Sequence, residues 1–202
     1  KNYIATLVSW VETFATNPDV KLGWHTTWAY QQTSNHSGFA NYGRSQETMY
    51  EMIIETVENK VVPISQIDTI IHSGTAIQNA RTSYKGDLFT RDGYHLSDPF
   101  GRYIAGLMFF KSITGFEVSN DTITYKPNGL TDYDKNIAIE SVNNAYLKPN
   151  EVSESTYKDE PTVEPIDVNG VSYEFDYVQG FWNNNATSIS PETDALHKNF
   201  VG

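Results

Sequence analysis

Apolar residues recur along the first three quarters of the chain with the period of helices, interrupted by short apolar runs. Runs at residues 20–24 and 68–72 predict two buried strands. Spacings of three and four predict helices over residues 3–16, 45–59, about 76–84, 101–114 and 131–147. The order helix–strand–helix–strand–helix is typical of a parallel sheet covered by helices. The pattern therefore predicts an α/β fold.

After Gly115 the pattern weakens. Residues 116–118 and 123–125 have the composition of short strands, and from Pro149 onward the chain is acidic and contains several prolines. Asn169-Gly170 lies between two alternating apolar segments, which is a strong signal for a β-hairpin. We therefore predict an α/β domain over residues 1–148 and an irregular extension with a hairpin over residues 149–202.

Composition excludes several classes of function. A net charge of −11 over 202 residues argues against binding to nucleic acid, because few basic residues are available to neutralise phosphates. The chain has no cysteine, which rules out disulfides and thiolate chemistry. No apolar run approaches the length of a membrane span. Its histidines are scattered without a metal-ligand spacing, so the sequence predicts neither a metal nor a cofactor.

The strongest chemical candidate is the stretch Arg91-Asp92-Gly93-Tyr94-His95. A carboxylate and an imidazole three residues apart can share one turn, where the carboxylate orients the imidazole as a general base. The alternative is a local turn closed by Asp92 with an ordinary surface histidine. Arg91 is a candidate for binding a substrate carboxylate, and so is Arg81, although either arginine can instead pair with a nearby aspartate.

Candidate substrate-binding residues follow the first predicted strand. Ligand sites in α/β sheets lie beyond the carboxyl ends of the strands, where this chain carries Trp28, Tyr30 and Gln31. Tyr94, which precedes His95, is a further aromatic candidate. The alternative is that Trp28 belongs to the core.

Four blocks in the same order resemble the SGNH (GDSL-like) hydrolases, and in particular the branch called DUF4886. They are Thr27-Trp28-Ala29-Tyr30, Ser73-Gly74-Thr75-Ala76-Ile77-Gln78-Asn79-Ala80-Arg81, Arg91-Asp92-Gly93-Tyr94-His95-Leu96-Ser97 and Gly101-Arg102-Tyr103. The resemblance covers roughly residues 3 to 155. It implies a three-layer, flavodoxin-like parallel sheet flanked by helices. It also implies that His95 acts as the base on a serine nucleophile while Asp92 orients its imidazole.

The chain departs from that family at its start. The family's nucleophile lies in a Gly-Asp-Ser or Gly-Asn-Ser block after the first strand, and neither this block nor the oxyanion blocks after it occur here. We therefore expect the N-terminal strands of the catalytic domain to be absent from this chain. Ser73 superficially resembles a nucleophile turn but matches a scaffold block, and Ser97 is too near His95 along the chain for attack.

The resemblance leaves two functions open. The first is a serine esterase, hydrolysing an acyl ester on a carbohydrate, to which this chain contributes Asp92 and His95. The second is a non-catalytic module, either a carbohydrate-binding one, to which the Phe181-Trp182 pair would contribute, or a remnant of the SGNH-like fold. Because half a sheet exposes unpaired edges, we expect a partner segment or a homodimer to complete it. Members of the family often look exported, which implies a secreted, periplasmic or cell-surface protein.

Overall fold

The computed structural model describes residues 3–161 and, as backbone only, four strands within residues 166–188. The chain divides into two compact units, Lys1–Glu160 and Pro161–Gly202. Each unit is treated below by itself, and the candidate chemistry lies in the first.

The first unit contains all five predicted helices, together with the two predicted strands. The helices are α1 (Tyr3–Phe14), α2 (Gln46–Thr56), α3 (Ser73–Arg81), α4 (Phe100–Thr114) and α5 (Asp132–Leu147). The strands are β1 (Leu22–His25) and β2 (Ile67–Ile71). Local signals explain several ends: the Ser45 hydroxyl caps α2, Thr131 and Asp134 form a capping box on α5, and left-handed Gly115 ends α4. Among the described residues, no helix is long and apolar enough to cross a membrane.

The sheet of this unit is small and parallel. Strands β1 and β2 pair so that Gly23 lies opposite Thr69 and His25 opposite Ile71. Within the described residues neither strand pairs with a third, so both outer edges are open. The predicted mixed α/β fold is confirmed, with two strands where the resemblance implied a larger sheet.

The core lies between the three C-terminal helices of the unit. Helices α3, α4 and α5 pack against one another, and α4 also packs against β2. The largest side chains that this arrangement buries completely include Ile77, Ile104, Met108 and Ile137. Burial of these apolar side chains stabilises the packing of the three helices. The close-packed core is a rigid support for the candidate site described below.

The predicted strands at 116–118 and 123–125 are wrong, because this segment is irregular. Its backbone groups are bound by side chains rather than by a neighbouring strand. Asn143 donates to the carbonyl of Val118 at 2.8 Å, and the Thr122 hydroxyl donates to that of Glu117 at 2.8 Å. A local side-chain bond such as that of Thr122 competes with strand formation.

The first unit extends beyond the boundary predicted after Lys148. Residues 149–160 lie along α3 and α5 and bond to their polar side chains. The amide of Ser153 donates to Asn79 Oδ1 at 2.7 Å, and that of Ser155 donates to Thr82 Oγ1 at 2.7 Å. The predicted division therefore separates residues that the structure keeps together.

The second unit contains four antiparallel strands in the order β3-β4-β5-β6. Their bounds are Ile166–Val168, Val171–Asp176, Phe181–Asn184 and Thr187–Ser188. Val168 lies opposite Val171, which confirms the predicted hairpin. The side chains of Phe181 and Trp182, and all residues after 188, lie outside the described part of the chain.

Candidate functional site

The Asp92–His95 stretch forms the tip of a narrow loop whose base is anchored in the core. The amide of Arg91 donates to the carbonyl of His95 at 2.9 Å, and that of Ser97 donates to the carbonyl of Phe89 at 2.9 Å. Phe89 is fully buried and Leu96 nearly so. These bonds and contacts keep the two sides of the loop together and project its tip from the core.

Asp92 binds both the loop and the imidazole. Its Oδ1 accepts the amides of Tyr94 at 3.2 Å and His95 at 2.8 Å, while its Oδ2 lies 2.7 Å from His95 Nδ1. The hydrogen bond from the His95 side chain, supported by those from the two amides, lowers the pKa of Asp92 to about 2. The carboxylate is therefore ionised at neutral pH.

This contact determines which nitrogen of His95 is available to accept a proton. An ionised carboxylate only accepts hydrogen bonds, so Nδ1 must carry the proton. In the neutral ring Nε2 is then unprotonated, and it has no hydrogen-bond partner among the described residues. The His95 side chain is 53% exposed. A proton acceptor oriented by a carboxylate and open to solvent is the arrangement that general-base catalysis requires.

Gly93 allows the loop tip to lie directly on the segment after β1. Its φ of +91° is unfavourable for residues with a side chain, and an added Cβ would lie 3.0 Å from Ser34 Oγ. The Gly93 carbonyl accepts the amide of Gln31 at 2.8 Å. The Asp-Gly pair is thus required both for the turn and for this close contact.

Two of the predicted substrate-binding residues, Trp28 and Gln31, form hydrogen bonds that fix the position of the loop. The indole N–H of Trp28 donates to the carbonyl of Tyr94 at 2.8 Å, and the hydroxyl of Thr90 donates to Gln31 Oε1 at 2.8 Å. Trp28 is half-buried and packs against the core. Trp28 and Gln31 therefore lie at the site, with polar groups that position His95's loop.

The other predicted aromatic residues form a cluster around the loop tip. The Tyr94 ring lies 4.3 Å from the His95 ring and 5.7 Å from the Tyr30 ring, centroid to centroid. His36 joins them, 4.7 Å from Tyr94 and 5.0 Å from Tyr30. Sequence reasoning missed His36, because no spacing relates it to the other residues of the cluster.

The two candidate arginines differ sharply. Arg81 is buried, with its Nε 2.8 Å from Asp87 Oδ1 and an Nη2 donating to the carbonyl of Ala29 at 3.0 Å. Asp87 Oδ2 in turn accepts from the Gln46 side chain at 2.9 Å. Arg81 thus supports the segment beneath the site, while Arg91 is exposed and has no ion pair among the described residues.

Neither candidate serine contacts His95. Ser73 is fully buried and its Oγ lies 2.7 Å from His25 Nε2, so no substrate can reach it. The Oγ of Ser97 accepts the amide of Gly101 at 3.1 Å. In the described part of the chain, no group of three or more histidines and carboxylates is arranged to hold a metal ion.

Comparison with known proteins identifies the family. Residues 1–146 match the model of a domain of unknown function, DUF4886. This chain belongs to the DUF4886 family. No curated protein matches it.

A solved DUF4886 structure has the same fold. It is the crystal structure of a DUF4886 family protein from Bacteroides uniformis ATCC 8492, which is 38% identical to this chain with a TM-score of 0.71. The match covers 77% of this chain and 59% of the Bacteroides protein. The DUF4886 chain described here therefore spans well under two thirds of that relative.

Proposed function

We propose that this DUF4886 chain supplies the general base and its orienting carboxylate to a serine esterase of the SGNH type. The observation that carries the proposal is the 2.7 Å contact between Asp92 Oδ2 and His95 Nδ1, on a half-exposed imidazole whose Nε2 has no hydrogen-bond partner among the described residues. This contact supports the proposal because a serine triad holds its carboxylate and its imidazole in the same relation.

Each proton in the proposed reaction passes through His95 Nε2. It accepts the proton of a serine hydroxyl as the serine oxygen attacks the ester carbonyl, and then donates that proton to the departing alkoxide. In the second half it accepts a proton from water, whose oxygen attacks the acyl-enzyme, and returns the proton to the serine. Asp92 stays ionised throughout and stabilises the imidazolium, which its low pKa favours.

The serine and the oxyanion donors would come from polypeptide beyond the described residues. Two observations support this arrangement: no described serine contacts His95, and the DUF4886 relative is covered over only 59% of its length. In this proposal β1 and β2 belong to a larger three-layer parallel sheet of the flavodoxin-like kind, and their open edges receive its remaining strands.

The proposed substrate is an acyl ester on a carbohydrate. The exposed loop tip is surrounded by aromatic rings, Tyr94 beside His95 and Tyr30 beyond it, and such rings stack on the apolar faces of sugars. Exposed Arg91 adds hydrogen-bond donors at the same tip.

Hydrolysis of p-nitrophenyl acetate tests the proposal. We expect no turnover from residues 1–202 alone, and turnover from the complete product of the encoding reading frame. In that product His95→Ala should reduce kcat by about 10⁶-fold, and Asp92→Asn by about 10⁴-fold. Asp121→Asn, which removes an exposed carboxylate elsewhere, should have no effect. Turnover by residues 1–202 alone, or full activity in His95→Ala, would contradict the proposal.

The second candidate is a non-catalytic carbohydrate-binding module. The aromatic cluster of Tyr30, His36 and Tyr94 favours it, since these rings lie together whether or not a nucleophile is present. Sugar binding that survives both Asp92→Ala and His95→Ala but is lost in Tyr94→Ala, in a protein without esterase activity, would establish this second function.

We also propose that α1 and the open sheet are covered by a second copy of the chain when it is purified alone. Helix α1 exposes Leu7, Trp10 and Phe14, which would be buried if the helix had a partner. Light scattering with size exclusion should show a dimer that Trp10→Glu converts to a monomer. Val62→Glu, at an equally exposed apolar site (59% for each), is the control and should stay dimeric. A monomer at all concentrations would reject this partner.

A further inference from the structure

A groove of about 400 Å³ runs along the exposed side of α4, beside the segment that follows the helix. It is distinct from the His95 loop tip, and none of the functional residues named above belongs to it. It is lined by Asp98, Pro99, Arg102, Tyr103, Gly106, Leu107, Tyr125 and Pro127.

Gly106 lies on the floor of this groove without a structural reason to be glycine. It is exposed in the middle of α4, a position where glycine is unfavourable compared with almost any other residue. Its φ is not positive, and an added Cβ would meet nothing within 4 Å. Neither the backbone conformation nor the packing of this chain requires a glycine at this position. The absence of a side chain does, however, keep the groove open.

Tyr125 forms one wall as an exposed aromatic surface held in place. The residue is 70% exposed, while its carbonyl accepts the hydroxyl of Tyr103 at 2.8 Å. The two rings meet edge to face with centroids 6.4 Å apart. Beyond them, Lys126 Nζ lies 2.7 Å from Asp132 Oδ1 at the start of α5. These contacts fix the backbone that carries the Tyr125 ring, which lowers the entropy cost of binding.

An arginine and a carboxylate line the opposite side. Arg102 Nη1 donates to Asp98 Oδ2 at 2.7 Å, and both side chains are more than half exposed. A guanidinium has five N–H donors and a carboxylate accepts several bonds, so one mutual bond leaves capacity for a ligand. Because the two charges offset each other, the groove suits a neutral ligand with many hydroxyls.

The groove begins near the proposed reaction centre. Asp98 follows His95 by three residues, which limits the distance between their Cα atoms to about 11 Å. A flat apolar wall, an open floor and a polar edge together match a sugar ring, which has apolar faces and a rim of hydroxyls.

We propose that this groove is a subsite for a neutral sugar ring of the carbohydrate whose ester is cleaved at His95. The assignment to the same substrate rests on the proposed function, while binding of sugar in the groove does not. A single chain of sugar units would then contact both the aromatic cluster at the loop tip and the wall of Tyr125.

Binding of unesterified oligosaccharides on a glycan array, followed by calorimetry with the glycan that binds best, tests the subsite. Gly106→Leu should weaken binding at least tenfold by filling the floor, and its melting temperature should be unchanged or higher because leucine favours helices. Tyr125→Ala should weaken binding by a similar factor. Tyr146→Ala, which removes a half-exposed tyrosine on α5, is the matched control and should bind normally.

The outcomes separate the subsite from the esterase. Normal binding by Gly106→Leu and Tyr125→Ala, or no glycan bound by the wild-type chain, would overturn the subsite even if the complete gene product hydrolyses esters. Loss of binding in both variants, together with no ester hydrolysis by the complete gene product, would support the subsite and reject the esterase. His95→Ala should retain binding, because the proposed groove does not include the imidazole.

Discussion

Asp92 illustrates how a few local bonds set the chemistry of a single residue. Its carboxylate accepts two backbone amides and the imidazole N–H, and all three donors belong to Tyr94 and His95. Each bond stabilises the ionised form, so the pKa falls although the group is exposed. The same bonds leave the second imidazole nitrogen free to accept a proton.

The pKa of Asp92 can be measured directly. We predict that its carboxyl carbon titrates in NMR with a midpoint at about 2, below the ordinary value of 3.8. Because the folded pKa is depressed, the ionised carboxylate stabilises the folded chain. This contribution is fully present above pH 3.8 and is lost as the pH falls through about 2. The urea midpoint of the wild-type chain should therefore fall more between pH 4 and pH 2 than that of Asp92→Asn. A carboxyl midpoint near 3.8 would contradict the hydrogen bonding described here.

Two helix starts, those of α3 and α4, are positioned by glycines that allow backbone contact. A Cβ on Gly74 would lie 2.0 Å from the carbonyl oxygen of Thr27, and one on Gly101 would lie 2.4 Å from that of Phe89. Both carbonyls belong to the segments that carry the candidate site. These glycines therefore allow the helices to support the site at a distance that no other residue permits.

Two glycine-to-alanine changes on neighbouring helices should have opposite effects. Gly74→Ala should lower the free energy of unfolding by about 2–3 kcal/mol, since the added methyl forces the backbone of α3 away from Thr27. Gly106→Ala should raise it by up to about 1 kcal/mol, because nothing lies near the added methyl and alanine favours the helix. Urea denaturation of both variants provides the comparison, and effects of the same sign would be inconsistent with these contacts.

At the scale of the whole molecule, the stability of the first unit depends on residues 149–160, a segment whose sequence looks like that of a linker. The amide of Tyr84 donates to the carbonyl of Tyr157 at 2.9 Å, and the Tyr157 ring lies 4.9 Å from that of Tyr133. Asn79, which is 1% exposed, bonds both to α5 and to Ser153. Residues 149–160 thus cover polar groups of α3 that would otherwise lack partners.

Truncation at two positions tests this dependence. A chain ending after Glu160 should unfold with the same urea midpoint as the transition of the first unit in the full chain. The free energy of unfolding should fall by about 2–4 kcal/mol in a chain ending after Lys148, because this truncation removes the partners of several buried polar groups. Equal stability of the two truncated chains would show that the boundary predicted from composition was adequate.

The sequence by itself determined the features that depend on near neighbours. Helix periodicity, the caps of α2 and α5, the Asn169-Gly170 hairpin and the Asp92–His95 pair all arise from residues a few positions apart. The four sequence blocks also pointed to the DUF4886 family, which the match over residues 1–146 confirms.

Only the tertiary structure decided which distant residues meet. His36 joins Tyr94 across the loop, Arg81 turns inward to the carbonyl of Ala29, and Trp28 donates to the Tyr94 carbonyl. The apolar pattern near residues 116–125 suggested strands, but the backbone there accepts a hydrogen bond from Asn143 on α5 instead. Such contacts join residues far apart in the chain, and their free energy depends on packing and geometry that no local pattern records.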